Sequence, residues 1–351
     1  MILVHIVHSH LNAPDIFSQA MGLEYNMQHR QSALSKWLQS VLPRQHYELV
    51  SLTGDASFRR YYRLHYNGIS RIVMDAPPDK ETMRPFLLVG DLLRQAGVRT
   101  PTVYACDEAQ GFAMLDDFGD TLLLSQLTPD RADSLYRQAL ASLIVMQQCA
   151  TASPRFLLPS FDQSFMRQEL GLFSTWFLDS YLKLELTSAE QTMLEQTFDW
   201  LMTEISRLPQ VFIHRDYHSR NIMILESGEL GIIDFQDAMR GPLTYDLVSL
   251  LKDCYVQWPC EQVRDWVHCF HAQSVIAQQL PFQDFFRAFE LCGLQRHLKV
   301  LGVFSRLFIR DHKPGYLNDL PLTMHYTLAF LESCEELQPF YQFMQRRIQL
   351  P

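Results

Sequence analysis

The stretch VFIHRDYHSRNIMILESGELGIIDFQDA, residues 211–238, sets two apolar runs around a dense polar turn. Two histidines, two arginines, an aspartate and an asparagine fall between His214 and Asn221, and Asp234 closes the second run. The runs VFIH, NIMIL and LGIID are too short for helices and read as strands joined by tight turns. Polar groups at the ends of such strands have three readings. They form an H-x-D-x-H metal cluster on His214, Asp216 and His218, a phosphoryl-transfer site, or a turn satisfied by its own backbone.

Phosphoryl transfer needs an acid that orients the attacking hydroxyl and takes its proton. It also needs oxygen ligands that hold metal against the nucleotide phosphates. Asp216 and Asn221, five positions apart in one loop, supply a base and a neutral oxygen. Asp234, at the end of the next hairpin, supplies an anionic one. An HRD-xxxx-N loop followed by a strand-ending DF is specific as a set, whereas HRD alone would mean little. The hydrolase reading leaves Asn221 without a role. His214 and Arg215 read as braces for the turn, and His218 and Arg220 carry no forced role.

Outward from this stretch, the chain of 351 residues is long enough for two lobes with separate cores. Its 47% hydrophobic and 20% charged composition is that of a soluble globular protein, expected in the cytoplasm. No apolar run reaches the roughly 18–20 residues of a membrane span. The opening MILVHIVHSHLNAP lacks the basic start of a secretory signal. Met27 stands as an alternative start, which would leave residues 1–26 outside the working protein, and residues 1–29 read as an N-terminal extension. A net charge of −9 excludes an extended nucleic-acid surface. The seven cysteines are scattered without a CxxC pair, which suits reduced thiols in a core.

Helical spacing of Leu34, Trp37, Leu38, Val41 and Leu42 stops at Pro43. Short runs follow: YELVSLT, SFRRYYRLHY, the Asn67-Gly68 turn, and ISRIVMDA. TMRPFLLVGDLLRQAG predicts a helix closed by Gly97, and TPTVYACD and GFAMLDDFGD predict strands about Gln110-Gly111. From about residue 130 long helices dominate, with a capping box predicted at Ser188 and Gln191. LTYDLVSLLKDCYVQW and LAFLESCEELQPFYQFMQRRI each read as helical. The expected architecture is α+β: a sheet lobe over 30–117, a connector near 116–121, and a mostly helical lobe over 118–351.

Within the sheet lobe, LTGDASFRRYYRL offers a loop in which Gly54, Ala56, Ser57 and Phe58 let backbone N–H groups approach phosphates. An ordinary hairpin turn reads equally well there. GFAMLDDFGD, a strand running into the connector, marks where a hinge would meet adenine.

Taken together, HRDYHSRN and IIDFQDA resemble the catalytic loop and metal-binding strand end of the aminoglycoside phosphotransferase and choline kinase superfamily, over about residues 30–345. LTGDASFRRYYRL, RIVMDAPPDKE, GFAMLDDFGD and FSRLFIRDHKPGY narrow this to the bacterial anomeric sugar kinases of peptidoglycan recycling. The resemblance implies a protein-kinase-like two-lobe fold with a small antiparallel sheet and a helical C-lobe. It implies ATP and Mg2+ as cofactors, and N-acetylmuramate or N-acetylglucosamine as the acceptor. It makes Asp216 the catalytic base, with Asn221 and Asp234 as metal ligands. The superfamily's third strand carries a lysine for the phosphates, but here that position falls near Met74. Arg71, Lys80 and Arg84 are the substitutes to weigh, and a nucleotide-binding pseudokinase stays open beside an aminoglycoside kinase.

Only eleven residues, FQDAMRGPLTY, separate Asp234 from Asp246, which leaves no room for the activation segment of a protein kinase. A small molecule is the expected acceptor. A carboxylate on it would favour a guanidinium. Arg306, Arg310 and Asp311 in FSRLFIRD are candidates, as are Arg240 and His218, against a solvated helix end.

Overall fold

The computed structural model describes residues 29–52, 58–149, 152–153 and 156–350. The expected N-terminal extension, up to residue 28, lies outside these, as do Gly54, Ala56 and Ser57. The chain divides into two compact units. One comprises the described residues up to Arg84 with Thr102–Asp117, and the other Pro85–Pro101 with Phe118–Pro351.

In the first unit, α1 (29–41) stops ahead of Pro43, as the spacing predicts. Strands β1 (Glu48–Leu52), β2 (Arg60–Tyr66) and β3 (Ile69–Asp75) follow, then β4 (Val103–Asp107) and β5 (Phe112–Asp116). All pairings are antiparallel, in the order β1-β2-β3-β5-β4. Asn67 and Gly68 both take positive φ, 49° and 75°, which closes the β2–β3 hairpin with the twist such loops prefer. Gly111 turns β4 into β5 at φ 74°, where an added Cβ would sit 1.9 Å from the Ala76 carbonyl oxygen, so only glycine fits. Leu34, Trp37 and Leu38 of α1 pack with Leu64, Val73, Phe112 and Met114 to form the core. This burial of apolar side chains is what holds the helix on the sheet.

The second unit takes up α2 (Arg84–Gln95) from its second residue, Pro85, although the sequence groups this helix with the sheet residues. Its Phe86 stacks on Phe235 at 5.1 Å, and Gly97 ends it at φ 91°. Then come α3 (Leu123–Gln126), α4 (Ala132–Gln147), the short hairpin β6 (Ala152–Ser153) and β7 (Phe156–Leu157), and α5 (Gln163–Leu172). The last continues as a π-helix through Phe173–Tyr181. The capping box of α6 (Ser188–Ser206) is Thr187 with Glu190, one residue earlier than the predicted Ser188 and Gln191. Both pairs satisfy the same spacing, and Thr187 wins because it holds the extended backbone of a cap.

Strands β8 (Gln210–Ile213), β9 (Ile222–Ile224) and β10 (Leu230–Ile232) appear where VFIH, NIMIL and LGIID predict them. β9 pairs with β10, and β8 with β11 (Met239–Pro242). LTYDLVSLLKDCYVQW is helical only over α7 (Tyr245–Leu251). Next are α8 (Cys260–Gln273), α9 (Phe282–Ile309), α10 (Leu320–Ser333) and α11 (Gln338–Arg347). The run LAFLESCEELQPFYQFMQRRI is therefore two helices, broken at Cys334 and restarted with Pro339 in the first turn of α11. Among the described residues no helix is long and apolar enough to cross a membrane.

Candidate active site

β8 delivers His214, and the chain bends at Arg215, whose φ of 77° lies in the left-handed region. Asp246, the second residue of α7, pins that bend. Its two oxygens accept the N–H groups of His214 at 2.6 Å and Arg215 at 3.0 Å. Burial pushes the Asp246 carboxyl up to about 6, against the pull of His214 and the backbone donors. The His214 ring lies between two backbone partners, with Nε2 3.0 Å from Ile233 O and Nδ1 accepting the Asp216 N–H at 3.4 Å. Both ring nitrogens are thus used inside the protein, which removes His214 from any metal cluster and leaves it as the brace the sequence suggested. Among the described residues no three His, Cys, Asp or Glu side chains are grouped to hold a metal on their own.

The rest of the loop is tied by its own backbone. His218 N–H donates to Asp216 O at 3.0 Å, and Asn221 N–H donates to His218 O at 2.9 Å. The Asn221 amide Nδ2 donates to the same Asp216 carbonyl at 3.0 Å, which leaves Oδ1 as the atom for an outside ligand. Ile233 N–H donates to Asn221 O at 3.1 Å, so Asp234 starts one residue beyond a direct link to Asn221. Asp234 is exposed, at a left-handed φ of 62°, with Gln236 Nε2 donating to Oδ1 at 2.8 Å. A non-glycine residue held there costs of order 1–3 kcal/mol, and such strain gathers at functional sites. Phe235, fully buried under α2, anchors the bend.

Three cations and a second carboxylate, none of them singled out in the sequence for this purpose, complete the site. Lys299 Nζ lies 3.9 Å from Asp216 Oδ1 and 3.2 Å from Glu169 Oε1. Arg296 Nη1 lies 3.5 Å from Asp216 Oδ1. Arg215 Nη2 donates to Glu169 Oε1 at 3.0 Å, and Gln295 Nε2 donates to Glu169 Oε2 at 3.0 Å. Burial alone would raise the Asp216 carboxyl, but Lys299 and then Arg296 overrule it and hold the acid well below the usual range. Coulomb attraction at about 4 Å is near 4 kcal/mol per pair at an effective dielectric of 20. Two such pairs outweigh the several kcal/mol that desolvation costs one ion. Burial likewise opposes the charge on Glu169, and Lys299 and Arg215 again bring it below its ordinary value. Arg215, Arg296 and Lys299 against Asp216 and Glu169 leave one net positive charge around an acid whose side chain stays 39% exposed.

Asp216, Asn221 and Asp234 are thus brought together. His218 lies in the same loop, edge-on to Tyr255 at 5.4 Å, and its buried Nδ1 lacks a partner. Burial lowers its pKa, so the ring is neutral near pH 7. Arg306 follows Lys299 on α9 by two turns, with a buried Nε that lacks a partner. Arg310 and Asp311 bind each other at 2.8 Å past the end of α9. Arg240 is exposed on β11, where its backbone pairs with β8. In the first unit Phe58 is exposed, and its N–H donates to Glu81 Oε1 at 3.2 Å. Met74 is fully buried. Arg71 is spread over Tyr104 at 4.0 Å, and Lys80 is exposed beside Asp79.

The phosphotransferase enzyme family matches residues 48–273. An N-acetylmuramate/N-acetylglucosamine kinase of Pseudomonas aeruginosa is 41% identical over 84% of this chain and 89% of its own length. One from Neisseria meningitidis is 38% identical over 90% of this chain and 95% of its own. Among solved structures, choline kinase LicA of Streptococcus pneumoniae overlays 86% of this chain and 99% of its own, with a TM-score of 0.62 at 12% identity. ADP-bound aminoglycoside phosphotransferase APH(2'')-Ib overlays 85% and 98%, with a TM-score of 0.58 at 14% identity. These share the fold: an antiparallel sheet unit followed by a mainly helical one. From a matched region that spans both the sheet strands and the HRD loop, the chain belongs to the phosphotransferase enzyme family.

Proposed function

We propose that this protein is an ATP-dependent kinase of amino sugars that transfers the γ-phosphoryl group to the anomeric hydroxyl of N-acetylmuramate or N-acetylglucosamine. It would act in the cytoplasm, in the recovery of cell-wall sugars. The observation that carries the reading is Asp216, held ionised by Lys299 and Arg296 yet open to solvent on one side. The two relatives at 38% and 41% identity, matched over most of both chains, support the choice of acceptor.

In this reading Asp216 accepts a hydrogen bond from the sugar hydroxyl, fixes its lone pair toward phosphorus, and takes the proton as the new P–O bond forms. A strongly acidic carboxylate is a weak base, so orientation is its larger contribution, in line with how phosphoryl transfer is accelerated. The surplus positive charge on α9 offsets negative charge gathering at the transferring group. Asn221 Oδ1 and the Asp234 carboxylate are hard oxygens of the type Mg2+ takes. Two protein ligands suit an ion that keeps waters and shares phosphate oxygens. Bound there, magnesium would neutralise phosphate charge. The phosphate-facing loop proposed at Gly54, Ala56, Ser57 and Phe58 belongs to the same reading. So does an acceptor contact from neutral His218.

A nucleotide-binding pseudokinase is the rival, favoured by one observation: the strand position of the phosphate lysine is the buried Met74. An aminoglycoside kinase would instead need an acceptor face rich in carboxylates. The test is ADP formation with ATP, magnesium and a panel of amino sugars and aminoglycosides. Acceptor-dependent turnover with N-acetylglucosamine or N-acetylmuramate is expected. Absence of turnover with every sugar sinks the proposal.

A further inference from the structure

The HRDYHSRN loop contains one residue that neither the base, the metal oxygens nor the turn uses: Arg220. Its guanidinium lies over the Tyr255 ring, with Cζ 3.6 Å from the ring centroid. Stacking at that distance fixes the plane of the fork and costs it none of its five N–H donors. Among the described residues no carboxylate or carbonyl takes those donors. Burial raises the Asp319 carboxyl above its ordinary value, Arg220 only partly opposes that rise, and the two close no ion pair. Tyr255 is itself braced. Its N–H donates to Asp253 Oδ1 at 3.1 Å, and the same Asp253 holds Ser219 through the Ser219 N–H at 3.0 Å. The ring therefore sits at a fixed place beneath the loop, with His218 edge-on to one part of it and Arg220 face-on.

A planar, always charged donor set, pre-oriented and left without an anion, is what a carboxylate-binding arginine looks like before its ligand arrives. Its place favours the acceptor over the nucleotide. Arg220 rests on Tyr255, in the segment that follows α7, whereas Asp234, the anionic metal-ligand candidate, follows β10 and is engaged by Gln236. We propose that Arg220, stacked on Tyr255, binds the carboxylate of a lactyl-bearing amino sugar, and so sets preference for N-acetylmuramate over the uncharged N-acetylglucosamine. This rests on the amino-sugar kinase reading above.

The experiment compares kcat/KM for both sugars, and KM for ATP, in wild type, Arg220→Gln and Arg220→Lys. Thermal melting of each variant serves as the fold control. Losing a bidentate charge-assisted pair is expected to lower the N-acetylmuramate to N-acetylglucosamine ratio by about tenfold to a hundredfold in Arg220→Gln, through KM. Arg220→Lys keeps the charge but loses the fork, and an intermediate ratio is expected. An unchanged ratio with a raised KM for ATP would overturn the proposal and place the guanidinium on nucleotide phosphate. An unchanged ratio with unchanged KM for ATP overturns it as well. Should Arg220→Gln fail to melt cooperatively, Arg220→Lys decides alone, and a wild-type ratio there rejects the carboxylate contact. Failure of the kinase reading itself is separate, because wild type would then form no ADP with either sugar.

Discussion

The second unit buries charge and the first buries a methionine where charge is expected. Around Asp216, three cations and a second carboxylate are enclosed by α5, α9 and the HRD loop, each with a named partner. On β3, the position that carries a phosphate lysine in the resembling superfamily is Met74, at 0% exposure. Its strand neighbour Asp75 is buried too and is paired with Arg30 of α1. The difference teaches where this protein keeps its densest electrostatic work: in a helical unit whose α9 supplies cations, and not at the Met74 position of the third strand.

Five substitutions test that contrast. Met74→Lys installs the missing lysine in a core with no anion prepared for it. A fully buried lysine shifts by up to about 3–5 pKa units, so a stability loss of about 4–7 kcal/mol is expected by denaturant titration, with no gain in turnover. A faster enzyme would show that the strand site is still competent and would break the comparison. Glu169→Ala leaves Lys299 and Arg215 facing each other without their shared anion. Removing one partner of a buried charge set costs about 3–5 kcal/mol, to be read from the same titration, with Glu169→Gln milder.

Lys299→Met acts on chemistry more than on stability. With Lys299 present, the folded Asp216 pKa lies below its unfolded value. The ionised acid therefore adds stability above the unfolded pKa, and that stability is lost only as pH falls through the lower folded value. Without Lys299 the Asp216 pKa climbs. Asp216, the proposed base, is then protonated at a higher pH than in wild type, and the acid limb of the kcat/KM profile is expected to move toward neutrality. An acid limb at the wild-type position would remove Lys299 from the positioning of Asp216. The smallest effect is expected for Thr187→Ala. It deletes the cap of α6 and should lower stability by about 1 kcal/mol with kcat unchanged.

The turn that carries Asp216, Asn221 and Asp234 was legible because the three are local in sequence and lie between short apolar runs. The strands around them were legible for the same reason. Glu169, Arg296 and Lys299 were not, because nothing in their own segments marks them. Arg296 and Lys299 sit in a 28-residue helix that buries Leu291, Leu294, Leu298 and Leu301 around them. A signal was available: charged residues on a helix that is apolar all round must have buried partners. The partners themselves lie on α5 and in the loop, a tertiary fact no local pattern carries. β11 was missed because MRGP puts glycine and proline where a strand pattern asks for branched residues. It exists because β8 needs a partner. The capping box slipped by one residue because TSAEQ offers two overlapping matches, and backbone conformation chooses between them.

The most direct measurement is single-turnover phosphoryl transfer from ATP to N-acetylglucosamine by wild type and by Asp216→Asn, at saturating magnesium. The substitution keeps the shape of the side chain but removes the charge that Lys299 and Arg296 hold. A loss of about 10²–10⁴ in the transfer rate is the expected result, with a melt that stays cooperative but is lowered by the loss of the charge that Lys299 and Arg296 hold. Equal rates in the two proteins would contradict the assignment of Asp216 and, with it, the role given to the cations of α9.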